Sequence, residues 1–118
     1  MNCENISARK VDYYVNNPQA VIIDLRSRED YNRLHISGAV NVPFDDMEMK
    51  LEQEKSDGII IGKKRYNKKN IFVVYCDRGS KSLIICSKLA QRGYQVKTVV
   101  GGISQYHGKY LVKNVRNY

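Results

Sequence analysis

The sequence predicts an α/β protein built on an open, mainly parallel sheet with helices on both faces. Short, continuous apolar runs, "AVIIDL" from Ala20 and "NIFVVYC" from Asn70, are typical of strands buried on both faces of such a sheet. Segments with helical spacing stand between the strand candidates, as crossover connections require. A chain of 118 residues with 42% hydrophobic residues suits one domain with its own core.

The first half of the chain is predicted to alternate three helices with two strands. Ser7 and Ser27 each stand where a side chain could cap a helix N-terminus. The segment "FDDMEMKLEQEK" is acidic early and basic late, as a helix dipole prefers. The predicted helices cover 8–17, 27–34 and 44–55, and the predicted strands cover 20–25 and 38–43.

The second half predicts two further strands, over 70–76 and 94–102, and two helices, over 80–93 and 103–110. In the longer helix, a shared buried face is predicted for Leu83, Cys86, Leu89 and Ala90. The segment 56–70 is ambiguous, because "DGIII" fits either an extra short strand or an apolar patch within a loop.

Composition excludes several classes of protein. No apolar stretch approaches the roughly 20 residues of a membrane helix, and "MNCENISARK" has no apolar signal-peptide core, so a cytoplasmic protein is expected. The three cysteines have no regular spacing and do not predict a disulfide framework. Cys86 is predicted to be a core residue, and Cys3 to lie in a loose terminus. No zinc-type spacing is visible, so neither a metal nor a cofactor is expected.

The chain is basic, with a formal net charge of +8 and a cluster "GKKRYNKK" at 62–69. Nucleic-acid binding is one interpretation of such a cluster. The cluster has no repeated aromatic residues and no recognition motif, which favours a solvated lysine-rich surface. We therefore expect no specific nucleic-acid partner and a weak attraction of anions.

The most informative stretch is "VVYCDRGSKS", in which Cys76 ends a strand just before a helix. Ligands of open parallel sheets bind beyond the carboxyl ends of the strands, and the first amides of a helix have no intrahelical partner. Gly79 permits a tight turn that aims these amides at the sulfur or at a substrate oxyanion. A helix dipole contributes about 0.3–1 kcal/mol, whereas each hydrogen bond to a charged group adds about 1.5–3 kcal/mol. The amides should therefore dominate, while Arg78 and Lys81 attract anions.

The alternative for Cys76 is a small buried hydrophobe, which is the usual fate of a lone cysteine after an apolar strand. The residues alone leave these two interpretations open.

Three blocks together resemble the rhodanese (thiosulfate sulfurtransferase) homology family in its single-domain form. "VVYCDRGSKS" is similar to the family's active-site loop, and "VVGGISQY" to its closing Gly-Gly block. "VIIDLRSREDYNRLHISGAVNVP" is similar to its N-terminal motif through Asp24, Arg26, Tyr31, His35, Ile36, Gly38, Ala39, Asn41 and Pro43. The resemblance covers roughly 7–110 of a single domain over 1–118, which leaves 111–118 as a basic C-terminal tail.

The resemblance implies that Cys76 is the nucleophile of a sulfurtransferase or a persulfide carrier. Its thiolate would take a sulfane sulfur from thiosulfate or from a polysulfide or persulfide donor, and pass it to a small thiol or a protein acceptor. The expected substrate-binding cradle is Asp77, Arg78, Gly79, Ser80, Lys81 and Ser82, with Ser82 beginning the helix.

The same resemblance gives supporting roles to Asp24 and Arg26, which would brace the loop, and to His35, which would tie the 36–38 turn to neighbouring backbone. His107 is expected to be exposed and without function. A monomer that binds a small anionic donor and no membrane is expected.

Two departures and two alternatives accompany the resemblance. Lys81 stands where single-domain members often have arginine, and Tyr106 where the family commonly has tryptophan. One alternative is a non-catalytic binding module, since some members have lost the cysteine. The other is a phosphatase of the same fold, which needs an arginine six positions after its cysteine, where this chain has Ser82.

Overall fold

The computed structural model describes residues 2–54 and 58–113. Its strands are β1 (Glu4–Ile6), β2 (Ala20–Asp24), β3 (Leu34–Ile36), β4 (Val40–Asn41), β5 (Ile59–Ile61), β6 (Lys64–Tyr66), β7 (Ile71–Tyr75), β8 (Gln95–Val99) and β9 (Leu111–Lys113). Its α-helices are α1 (Val11–Val15), α2 (Arg28–Arg33), α3 (Phe44–Glu52) and α4 (Ser80–Gln91), and two 3-10 turns cover Ala8–Lys10 and Gly102–Gln105.

The central sheet has the strand order β1-β8-β7-β2-β4, and every neighbouring pair is parallel. Alternate residues of its strands enter two separate cores. Ile23 and Val74 pack with residues of α3 and α4 on one face, whereas Ile22 and Val73 pack with residues of α1 on the other. The predicted α/β class with helices on both faces is therefore confirmed, and double-sided burial explains the unbroken apolar runs.

The buried face of α4 differs from the predicted one. Leu83 is 47% exposed, because the face that meets the sheet follows helical spacing from Ser82, one position earlier. The buried residues of this helix are Ser82, Ile85, Cys86, Leu89 and Ala90.

The predicted caps have different outcomes. Ser27 caps α2, because its hydroxyl accepts the Asp30 amide at 3.1 Å. The side chain of Ser7 makes no capping hydrogen bond, and the predicted helix over 8–17 is instead a 3-10 turn followed by the short helix α1.

Two small antiparallel sheets complete the described fold. β3 pairs with β9, so residues 111–113 form a strand where a tail was predicted; residues 114–118 lie outside the described part. β5 pairs with β6, which settles the ambiguous segment in favour of a strand, although Ser56 and Asp57 are outside the described residues. None of the described helices has the length and apolar character needed to cross a membrane.

The cysteines correct a second prediction. Cys86 is fully buried in the core as predicted, but it forms a disulfide with Cys3 across 83 residues, with a Cα–Cα distance of 5.4 Å. Cys3 is thus tied to the middle of α4 and does not lie in a loose terminus. The spacing gave no sign of this pair, because only the sheet order brings the start of edge strand β1 near α4. Irregular cysteine spacing therefore did not exclude a disulfide in this chain.

Removal of this cross-link should destabilise the fold. Cys3→Ser should lower the free energy of unfolding by about 2–4 kcal/mol, because a long loop is no longer closed in the unfolded chain. Urea titrations of the oxidised wild type and the variant measure this. Dithiothreitol should bring the wild type to the value of the variant and leave the variant unchanged. Equal stability of oxidised and reduced wild type would contradict a structural role for the bond.

Candidate active site

Cys76 lies one residue beyond the end of β7, with its sulfur under the first turn of α4. The Sγ atom accepts hydrogen bonds from the amides of Gly79 at 3.1 Å and Ser82 at 3.4 Å. Gly79, the residue before the helix, has φ +104°, and a Cβ there would lie 3.2 Å from the Gly101 amide nitrogen. Only glycine fits this turn without strain, so the local sequence creates the amide cradle.

The helix begins at Ser80, as the apolar pattern predicted, and not at Ser82, where the family resemblance placed its start. Ser82 therefore sits in the first turn, where its amide faces the sulfur. Its buried hydroxyl donates to the Gly79 carbonyl at 3.1 Å and shares a 2.7 Å hydrogen bond with Thr98 of β8. The side chain of Ser82 thus braces the turn against the sheet.

A second turn holds the cysteine loop from its other side. The amide of Ile103 donates to the Cys76 carbonyl at 2.9 Å, and that of Ser104 to the Asp77 carbonyl at 3.2 Å. A Cβ on Gly102 would approach these two carbonyl oxygens to 2.4 and 2.5 Å. The closing Gly-Gly block is therefore what allows the two backbones to meet.

An ion pair between Asp24 and Arg26 lies beside the loop. Asp24 is fully buried, and its carboxylate accepts hydrogen bonds from the Arg26 amide and guanidinium at 2.9–3.2 Å. Burial alone would lower the pKa of Arg26, but the hydrogen bonds and charge of Asp24 outweigh it and raise this pKa. Arg26 also donates to the Leu34 carbonyl, and its Nη1 lies 3.9 Å from Asp77.

Two buried or half-buried tyrosines lie close enough to Asp24 to be affected by its charge. Burial and, secondly, the Asp24 charge raise the pKa of both Tyr75 and Tyr31. Tyr75 accepts the Ile36 amide at 3.1 Å, and Tyr31 donates to the Ala39 carbonyl at 2.6 Å. Both phenols are therefore neutral structural groups at physiological pH.

The cysteine opens into a cleft of about 730 Å³ at the carboxyl edge of the sheet. Its lining residues are Arg26, Ser27, Asp30, Cys76, Asp77, Arg78, Ser80, Lys81, Ile103 and Ser104. Three cations thus face two carboxylates around one sulfur. The Nζ atom of Lys81 lies 5.6 Å from the ring centre of Phe44, in a cation–π contact.

The predicted site residues fall into two groups. Those that line the cleft are Cys76, Asp77, Arg78, Ser80, Lys81 and Arg26. Asp24, Gly79 and Ser82 act beneath it, through the contacts described above.

The two histidines lie apart from the cleft lining. His35 stacks on Tyr31, with ring centres 3.7 Å apart, and its Nδ1 lies 2.7 Å from the Tyr31 carbonyl. It ties β3 to α2, where a link to the 36–38 turn was predicted. His107 is exposed, as expected.

Four residues of the cleft lining were not predicted as site residues: Ser27, Asp30, Ile103 and Ser104. The last two directly follow the Gly-Gly pair, so that block was a usable signal. Ser27 gave only a helix-cap signal, and Asp30 gave none. In the described residues, no group of three or more His, Cys, Asp and Glu side chains is arranged to hold a metal ion.

Comparison with known protein families agrees with this geometry, because the model of the rhodanese-like domain matches residues 7–109. The chain belongs to the rhodanese-like domain family. The matched range spans β2, β4, β7 and β8 of the central sheet, the cysteine loop and the Gly-Gly turn of this rhodanese-like domain.

Several curated proteins are similar to this rhodanese-like domain. A thiosulfate sulfurtransferase 16, chloroplastic, of Arabidopsis thaliana is 26% identical over 85 residues, which are 71% of each chain. A probable molybdopterin-synthase adenylyltransferase of Porphyra purpurea is 30% identical over 100 residues, 80% of this chain and 22% of the relative. A tRNA sulfurtransferase of Thermoplasma acidophilum is 36% identical over 74 residues, 63% of this chain. The chain spans only 22% and 12% of the length of the last two relatives.

Solved structures share the fold. A rhodanese-like domain protein from Staphylococcus aureus superposes with a TM-score of 0.71 at 19% identity, over 95% of this chain and 99% of that one. A rhodanese-related protein from Thermoplasma volcanium gives a TM-score of 0.68 at 22% identity, over 92% and 97% of the two chains.

The contact at Gly102 predicts a specific effect of one methyl group. Gly102→Ala and Gly62→Ala place a side chain at nearly the same positive φ, +63° and +64°, but only the first meets backbone within 4 Å. Both should lose about 1–2 kcal/mol of stability from the strained φ. Only Gly102→Ala should also move the amide proton resonances of Gly79 and Ser82, which report their hydrogen bonds to the sulfur. Equal spectra at these two amides in both variants would contradict the proposed contact.

The buried ion pair predicts a large loss of stability in Asp24→Asn. The change leaves the Arg26 charge buried without its partner, which costs about 3–5 kcal/mol. Glu29→Gln is the control, because it removes a 3.9 Å ion pair with Arg33 between exposed side chains and should change stability little. Urea unfolding measures both. A small effect of Asp24→Asn would show that the carboxylate charge is dispensable.

Proposed function

We propose that this rhodanese-like domain is a sulfurtransferase or persulfide carrier that uses Cys76 as its nucleophile. The observation that carries the proposal is the environment of the sulfur, which accepts hydrogen bonds from the Gly79 amide, just before α4, and the Ser82 amide, in its first turn, beside a cleft with three cations. Amides so arranged stabilise a thiolate, and afterwards a persulfide anion, without any metal or cofactor.

The proposed reaction has two displacements. The Cys76 thiolate attacks the outer sulfur of thiosulfate, a bond forms between the two sulfurs, and sulfite leaves with the electron pair of the broken S–S bond. A thiolate or cyanide then attacks the outer sulfur of the persulfide, and the Cys76 thiolate leaves. Arg26, Arg78 and Lys81 would attract the anionic donor, while Asp30 and Asp77 limit how strongly the cleft retains it.

The position of Ser82 argues against a phosphatase. A phosphatase of this fold would need an arginine there to hold phosphoryl oxygens with its forked guanidinium. Ser82 instead directs its hydroxyl to Thr98 and to the Gly79 carbonyl, below the cradle. Lys81, the residue before Ser82, is a point charge that cannot supply the fork.

The names of several relatives support the proposal in general terms, since they include sulfurtransferases. A non-catalytic binding module is the second candidate. Such a module has no need of hydrogen-bond donors aimed at a cysteine sulfur. A cytoplasmic location is part of the proposal.

Intact mass spectrometry tests the proposed chemistry. After incubation with thiosulfate, the wild type should gain one sulfur atom, which cyanide should remove. Cys76→Ser should gain none. The double variant Cys3→Ser/Cys86→Ala, which keeps Cys76 as its single cysteine, should still gain one. A folded wild type that gains no sulfur from thiosulfate or polysulfide would instead support the binding module.

A further inference from the structure

Three exposed apolar side chains lie on the two chain segments that pack against the Gly79 turn of the cysteine loop. Leu83 and Ile84 of α4 are 47% and 46% exposed, and Val100, just after β8, is 55% exposed. Other large exposed apolar residues of the described chain, such as Ile60 of β5, lie on other elements. We call Leu83, Ile84 and Val100 the apolar collar.

The geometry places the collar against the cysteine loop. A helical side chain covers the turn that precedes it, so Leu83 lies over the Gly79 turn and Ile84 over Ser80 and Lys81. The Leu83 amide donates to the Gly79 carbonyl at 3.2 Å. A Cβ on Gly79 would lie 3.2 Å from the Gly101 amide nitrogen and 3.6 Å from the Val99 carbonyl, the two neighbours of Val100. Leu83 and Val100 therefore flank the same turn.

A small anionic donor does not explain the collar, because thiosulfate binds through charge and hydrogen bonds. We propose that the collar docks a sulfur acceptor or donor protein whose surface combines apolar and acidic side chains around a thiol or persulfide. This choice of a sulfur-bearing partner rests on the proposed function. The cations Arg78 and Lys81, which line the cleft and precede Leu83 closely in the chain, complement acidic residues.

Two other occupants fit less well. A second copy of this chain would bring two sets of Arg78 and Lys81 together, in a chain that already carries a net charge of +8. An anionic lipid surface would satisfy the charges but would bring no thiol to a cysteine that is recessed in a cleft. An acidic protein surface satisfies the charge, the apolar contact and the sulfur chemistry together.

A peptide probe tests docking without relying on sulfur transfer. The probe is acetyl-EELSLEE-amide, added to ¹⁵N-labelled protein at millimolar concentration. Amide resonances of 78–84 and 100–104 should shift.

The double variant Leu83→Gln/Ile84→Gln should raise the dissociation constant about tenfold, since two apolar contacts are lost. The control Ile60→Gln, which alters a 50% exposed side chain on β5, should bind like the wild type. The charge-reversed peptide KKLSLKK should not bind.

A second arm uses the cysteine form of the peptide, acetyl-EELCLEE-amide, as acceptor from protein loaded with thiosulfate. The double variant should lose about tenfold in kcat/KM for this peptide and should keep the wild-type rate with free cysteine. Failure of loading in every variant would count against the proposed function only, since the resonance shifts are measured without sulfur transfer.

Several results would overturn the docking proposal. These are the absence of resonance shifts with EELSLEE, shifts that map away from the collar, and equal peptide affinity of the wild type and the double variant. Binding to phosphatidylglycerol vesicles, or dimerisation in sedimentation experiments, that is lost in the double variant while the peptide fails to bind would identify a lipid surface or a second copy as the occupant.

Discussion

The buried carboxylate of Asp24 constrains the whole carboxyl edge of the sheet. A charge without water contact needs a partner and several hydrogen bonds, and Asp24 obtains them from Arg26. The Arg26 guanidinium then reaches the Leu34 carbonyl and Asp77, while Asn41 donates to the carbonyls of Asp24 and Arg26 at 3.1 and 2.9 Å. The contacts that Asp24 and Arg26 make therefore hold β2, β3, β4 and the cysteine loop in fixed positions relative to each other.

The cysteine loop depends on this edge and on two glycine turns. The turn at Gly79 supplies amides to the sulfur, and the turn at Gly102 supplies amides to the carbonyls of Cys76 and Asp77. Donors therefore approach the loop from both sides, through backbone atoms that need no side-chain rearrangement. Such preorganisation is what allows a site to stabilise an anion without reorganisation during the reaction.

The exposed part of the site has a different character from its interior. Beneath the cleft, backbone amides, the Ser82 hydroxyl and the Asp24–Arg26 ion pair hold the loop that carries the sulfur. Nearer the surface, Arg78 and Lys81 line the cleft, and the apolar collar lies on the neighbouring segments. In the proposed function, a small donor would need only the interior and the cations, whereas the collar would be buried only when a larger surface covers it. The proposal thus assigns chemistry to the interior and recognition to the collar.

The sequence by itself determined the α/β class, the strands β2, β7 and β8 and the helix start signal at Ser27, and it placed Cys76 at a strand end just before a helix. These features depend on local patterns, since double-sided burial makes a continuous apolar run and a glycine next to a helix start makes an amide cradle. The tertiary structure alone decided the Cys3–Cys86 disulfide, the pairing of β3 with β9, the contacts of Ser82 with Thr98, and the exposure of Leu83. Each of these joins residues distant in sequence or depends on which helix face meets the sheet, and the strand order that decides both is not encoded in any single segment.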